Sequence, residues 1–115
     1  MYQVLFYWTR RGAEPVREFL QLLPDKVQQK ILRWIELLQT YGPELKRPYA
    51  DKVSGPLYEL RIRLSSENVR ILYCFISHRR ILLLHAFRKK TDQIEVRDIA
   101  LAENRMSDYL SRFKD

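Results

Sequence analysis

The spacing of apolar and polar positions changes period several times along the chain, and each change marks an element. Tyr2 to Trp8 is aromatic and β-branched and predicts a first strand, which Arg10-Arg11-Gly12 breaks. Glu14-Pro15 then opens a helix in which Val16, Phe19, Leu20 and Leu23 recur at helical spacing, until Pro24 interrupts it. A second helix starts near Asp25. Its Val27, Ile31, Trp34, Ile35 and Leu38 form one apolar stripe that stops near Gly42-Pro43, so the two helices make a hairpin.

From Glu44 to Pro56 the chain is polar and turn-rich and predicts a loop. Leu57 to Leu64 alternates, with Tyr58, Leu60, Ile62 and Leu64 on one face and Glu59, Arg61 and Arg63 on the other, the pattern of a half-buried strand. Turns at Ser65–Asn68 and Ser77–Arg80 lead into Val69–Ile76 and Ile81–Phe87, and such short connections predict an antiparallel meander. Asp92 with Glu95 three residues on has the spacing of a capping box. Val96, Ile99, Met106, Leu110 and Phe113 then give a last amphipathic helix. The expected class is α+β in the order β-α-α-β-β-β-α, a small mostly antiparallel sheet with helices packed on one face and cations on the other. With no internal repeat or linker, residues 1–115 read as one domain.

Composition narrows the function. With 46% hydrophobic and 30% charged residues, and only 3 Gly and 5 Pro, the chain is neither collagenous nor broadly disordered. The single cysteine, Cys74, excludes an internal disulfide framework and any Cys-cluster zinc site. The first residues do not have the charge arrangement of a signal peptide, and no apolar run is long enough for a membrane span, so a soluble, cytoplasmic protein is expected. His78 and His85 are seven residues apart with no ligand-like carboxylate spacing, and Gly12, Gly42 and Gly55 form no phosphate loop. Neither a metal nor a small-molecule cofactor is expected.

The net charge is +7, and the excess is concentrated: residues 57–90 hold eight basic and two acidic side chains. A polyanion is therefore the first partner to consider, against the alternative of a merely solvated basic face. Arg61 and Arg63 share one strand face, Arg70 opens the neighbouring strand, and Arg88, Lys89 and Lys90 leave the end of the third. Tyr73, His85 and Phe87 are candidates for base stacking or proton transfer, with core packing as the competing role for each. A cation cluster without metal ligands suits phosphoryl transfer on RNA, whose own 2′-hydroxyl is the nucleophile.

The segments GPLYELR (55–61), VRILYCF (69–75), LLLHAFRKKT (82–91) and EVRDIALAENRMSDY (95–109) resemble the RelE/ParE superfamily of toxins, in particular its HigB-like, phage-derived branch. The resemblance implies a RelE-like fold and the toxin of a type II toxin–antitoxin pair, neutralised by a cognate helix-turn-helix antitoxin. It also implies a metal-independent endoribonuclease that cuts mRNA in the ribosomal A site. A ParE-like inhibitor of DNA gyrase and a catalytically inactive RNA-binding relic are the alternatives. RelE-type basic positions fall on Arg61, Arg70 and Lys89, with Arg70 and Lys89 implied at the scissile phosphate and Arg61 at the 2′-hydroxyl or an adjacent phosphate. Glu59 stands where RelE has a further lysine, Tyr109 is the candidate for its C-terminal tyrosine, and Lys52 and His85 are candidate substitutes for the missing base. Lys52, Arg63, Tyr73, His85, Phe87, Arg88 and Lys90 complete the expected RNA-binding set.

Overall fold

Three strands with short connections and alternating side chains pair most easily with their sequence neighbours. In a computed structural model describing residues 1–91 and 93–113, β3 (Leu57–Leu64), β4 (Glu67–Ile76) and β5 (Arg80–Arg88) do form an antiparallel meander. The first strand, β1 (Gln3–Phe6), pairs parallel with β5, and the sheet order is β1-β5-β4-β3-β2.

The added edge strand, β2 (Ala50–Ser54), corrects the expectation of an unstructured segment from Glu44 to Pro56. ADKVS is too short and polar to show a period, and it becomes a strand by pairing antiparallel with β3 across the turn at Gly55.

Helices α1 (Pro15–Gln21) and α2 (Asp25–Tyr41) cover one sheet face, as expected. Val16, Leu20, Val27, Ile31, Ile35 and Leu38 pack there against Leu60, Ile62, Val69, Ile71, Ile81 and Leu83. Gly42 ends α2 with φ +53, and a Cβ there would overlap the Tyr2 ring, so the helix stop and the anchoring of β1 are one feature.

The last helix, α3 (Val96–Arg112), lies on the opposite face, where Ala102 and Tyr109 join Tyr7, Leu57, Leu72, Cys74, Leu82 and Leu84 in a second core. The expectation of helices on one face only is therefore corrected. Leu72, Cys74, Leu82 and Leu84 make the second face as apolar as the first near its centre, and burying it requires a second layer. Glu95 is itself the α3 N-cap, without a side-chain cap bond, and its carbonyl accepts from the Asp98 and Ile99 amides. Asp92, the expected partner of a capping box, lies outside the described residues. No helix among the described residues is long and apolar enough to cross a membrane.

Candidate functional site

Because alternate residues share a sheet face, strand register decides which charged side chains meet. On the α3 face three cross-strand rows follow from the pairing. Asp51, Glu59, Leu72 and His85 form the first, Arg61, Arg70 and Phe87 the second, and Arg63, Asn68 and Lys89 the third, the last closed by the Lys89 amide donating to the Asn68 carbonyl. Apolar Leu72 lies under α3, and the rows beyond it, rich in cations, reach past the cover of that helix.

Glu59 ties the first two rows together. Arg61 donates from Nη1 to Glu59 Oε2 at 2.9 Å, and Arg70 Nε lies 3.0 Å from Glu59 Oε1. The second contact is ionic but off hydrogen-bond alignment, since neither of its two atoms has a well-directed partner. Arg70 is 6% exposed and Glu59 5%, so this pair belongs to the floor of the site. Arg70 also donates from Nη1 to Asn68 Oδ1 at 2.6 Å and to the Val69 carbonyl at 3.3 Å. Burial pushes the Arg70 guanidinium below its ordinary pKa, while the facing Glu59 carboxylate opposes that shift.

Two grooves open above this floor. The larger, about 540 Å3, is lined by Arg47, Pro48, Arg61, Arg63, Asn68 and Arg70. The other, about 330 Å3, runs toward α3 and is bordered by Lys52, Glu59, Arg61, Lys89, Gln93 and Ile99 among others. Arg61 and Arg47 line both. Arg47 leans over the rim from the segment before β2, donating to Asp51 Oδ2 at 2.7 Å, and that bond is the main reason the Asp51 carboxyl sits below its ordinary pKa. Such a surface suits an extended polyanion.

Of the expected residues, Arg61, Arg63, Arg70 and Lys89 are thus brought to one face, and Lys52 borders the smaller groove with its ammonium 5.8 Å from the Tyr58 ring. Tyr73 is a correction: it is 1% exposed in the α1/α2 core and stacked on Tyr58, because its β4 position points away from Arg70. Arg88 likewise turns to the other face, over Phe19 and onto Glu67 at 2.8 Å. Lys90 is exposed past β5, beside a small pocket that also includes Arg97. Tyr109 is buried against Trp8 and Phe113, which removes it from the candidates. Cys74 is equally inert, its thiol pushed up to about 12 by burial.

His85 and Phe87 stack on each other at 5.0 Å, so one face of each ring is already covered. The register shift in β5 between His85 and Leu83 keeps His85 on the α3 face, where its Nε2 meets Asp98 Oδ1 at 2.8 Å. Burial lowers the His85 pKa from 6.5, outweighing Asp98, while Arg105 lowers it further. The imidazole is therefore held neutral, and Nε2–H donates to the carboxylate. Since the unfolded chain binds this proton more readily than the folded one, stability is retained above pH 6.5 and lost as the pH falls below it. Melting temperatures of wild type should fall more steeply between pH 6.5 and 5 than those of His85→Asn; parallel curves would show that this histidine is not the coupled group.

Arg47 and Asn68 escape a reading of the sequence alone. Arg47 reads as a loop residue, and Asn68 reads as turn material although it lies within β4. Among the described residues no group of three or more His, Cys, Asp or Glu is placed to hold a metal ion.

A five-stranded, mostly antiparallel sheet between two helical layers, with a basic floor past its last helix, is compatible with the fold of RelE-like proteins. The chain belongs to the family described as Phage derived protein Gp49-like (DUF891), which matches residues 18–107. That family is RelE-like and associated with toxin–antitoxin systems, its members being commonly toxin-like, and it suggests an antitoxin partner. No curated protein sequence matches the chain.

Proposed function

We propose that the protein is the toxin of a type II toxin–antitoxin pair and acts as a metal-independent endoribonuclease on mRNA in the ribosomal A site. The observation that carries this reading is the larger groove, where four arginines and one asparagine converge without a lining carboxylate. Family membership supports the toxin role and an antitoxin partner, and the resemblance of the sequence to RelE/ParE toxins makes that antitoxin a helix-turn-helix protein.

In the reaction the RNA 2′-hydroxyl attacks the adjacent phosphorus and the 5′-oxygen leaves, giving a 2′,3′-cyclic phosphate and a 5′-hydroxyl. Arg61, shared by both grooves, stands at the scissile phosphate, with Arg63 on one side and Lys89 on the other. Each donor stabilises the extra charge that develops on the phosphoryl oxygens. Arg70 is too buried to grip that phosphate itself. It acts as a positioning residue, fixing Glu59 and Asn68, and Glu59 in turn orients the Arg61 fork.

Brief induction followed by mapping of 5′-hydroxyl RNA ends tests the reading. New ends inside translated frames are expected with wild type, and none with the Arg61/Arg63/Lys89 triple alanine variant or when translation is blocked. Growth arrest without new ends would overturn the ribonuclease in favour of gyrase inhibition.

A further inference from the structure

The cations of the larger groove do not stop at its wall. Arg63 lines that groove, and its main-chain carbonyl accepts from the Lys30 ammonium, which reaches β3 from α2 and also lies 5.0 Å from the Trp34 ring. β2 pairs with β3 only as far as Leu60, and the Arg61 amide donates to the Tyr49 carbonyl, so Arg63 lies beyond the cover of the edge strand. Lys30 therefore stands where the sheet edge is open, and its charge joins the groove to the flank of α2.

On that flank Lys26, Lys30 and Arg33 follow one another at i, i+4 and i+7, which sets them on one stripe about 10 Å long, beside the buried stripe of Val27, Ile31, Ile35 and Leu38. Lys26 and Arg33 are exposed. The two acidic residues of the helix, Asp25 and Glu36, come before Lys26 and after Arg33, outside the three cations. A solvated helix face is commonly laced by pairs of opposite charge at i, i+4, whereas Lys26 and Lys30 are alike at that spacing and repel. An anion laid along the stripe relieves that repulsion.

At about 540 Å3 the groove has the size of a small-ligand site and holds only a short piece of strand. The rest of an RNA chain has to leave it, and the way past Arg63 is lined with cations. Resting on the RNA reading above, we propose that the phosphate backbone flanking the cleaved position crosses the open sheet edge at Lys30 and follows the α2 stripe of Lys26, Lys30 and Arg33. The contact is with phosphates, so it fixes the path of the strand and reads no base.

The test is equilibrium binding of a fluorescent dodecamer and a tetramer of 2′-O-methyluridine, which have no free 2′-hydroxyl to attack, over a series of salt concentrations. Wild type should show a steeper salt dependence for the dodecamer, because only the longer strand reaches α2. In Lys26→Gln/Arg33→Gln, which leaves Lys30 on the Arg63 carbonyl, the dodecamer slope of log K against log salt should fall by about 1.4, at about 0.7 per single-strand phosphate contact, while the tetramer is unchanged. An unchanged dodecamer slope in this variant would overturn the track and leave the cleavage reading untouched. An equal loss for the tetramer would place the effect in the groove and overturn it as well. A loss confined to the dodecamer, in a protein that creates no new 5′-hydroxyl ends, would leave the track standing and remove the ribonuclease.

Discussion

Replacing Arg70 by methionine should lower the free energy of unfolding by about 3 kcal/mol, a large share of the margin of a small domain. The side chains of Arg70 and Glu59 are 8% and 7% exposed, and removing the cation leaves the buried carboxylate with Arg61 alone, which is 24% exposed. The loss comes from the stranded charge more than from the attraction forgone, because a buried pair repays much of its own desolvation. The double variant Glu59→Leu/Arg70→Met should therefore recover most of the stability lost in Arg70→Met. Urea unfolding of the two single variants and the double closes the cycle. A single-variant cost below about 1 kcal/mol, or costs that simply add, would show that the pair is not coupled through burial.

The second large effect is on cleavage. Arg61→Ala should reduce the rate of appearance of 5′-hydroxyl ends by about a hundredfold to a thousandfold, the usual loss when one transition-state donor is removed. Arg61→Lys should rescue little of it. A lysine keeps the charge, but it has no planar fork with which to hold Glu59 Oε2 and meet the phosphate at the same time. Glu59 retains Arg70, so both variants should unfold at urea concentrations close to wild type, separating lost chemistry from lost structure. An Arg61→Ala protein that cuts at the wild-type rate would move the phosphate away from the shared wall of the two grooves.

Local periodicity carried much of this arrangement. The alternation of Leu57–Leu64 placed Glu59, Arg61 and Arg63 together, and the short turn after Leu64 put Arg70 beside Arg61, where the register has it. The same alternation misjudged depth. Glu59 looked like a solvent-facing residue, whereas it is closed in by the edge strand, two arginines and the approach of α3. An amphipathic helix pattern states that α3 has a buried side, not which sheet face receives it. The run Leu82-Leu83-Leu84 hid the register shift, since three consecutive leucines have no period, and with it the reason His85 meets Asp98. Tyr73 could not be assigned from its residue type, because an aromatic in a strand fits a core as well as a stacking platform. Arg47 reaches the site through tertiary placement alone, from a segment whose only local signals were of turns.

The parallel pairing of β1 with β5 also governs how the molecule assembles. Val4 finds its partner at Ile81, and Tyr7 just beyond the strand donates to Asp108, so the first strand takes its place in the sheet from segments made much later. Such distant contacts are slow to form, because most of the chain must be gathered before they repay its lost freedom. On the ribosome, β1 and the helical hairpin emerge with the strip along β5 still unsynthesised, and the α3 layer comes last. The newborn chain thus passes through a stage in which β1 has no strand beside it and the apolar patch of Leu57, Leu72 and Cys74 waits uncovered for α3.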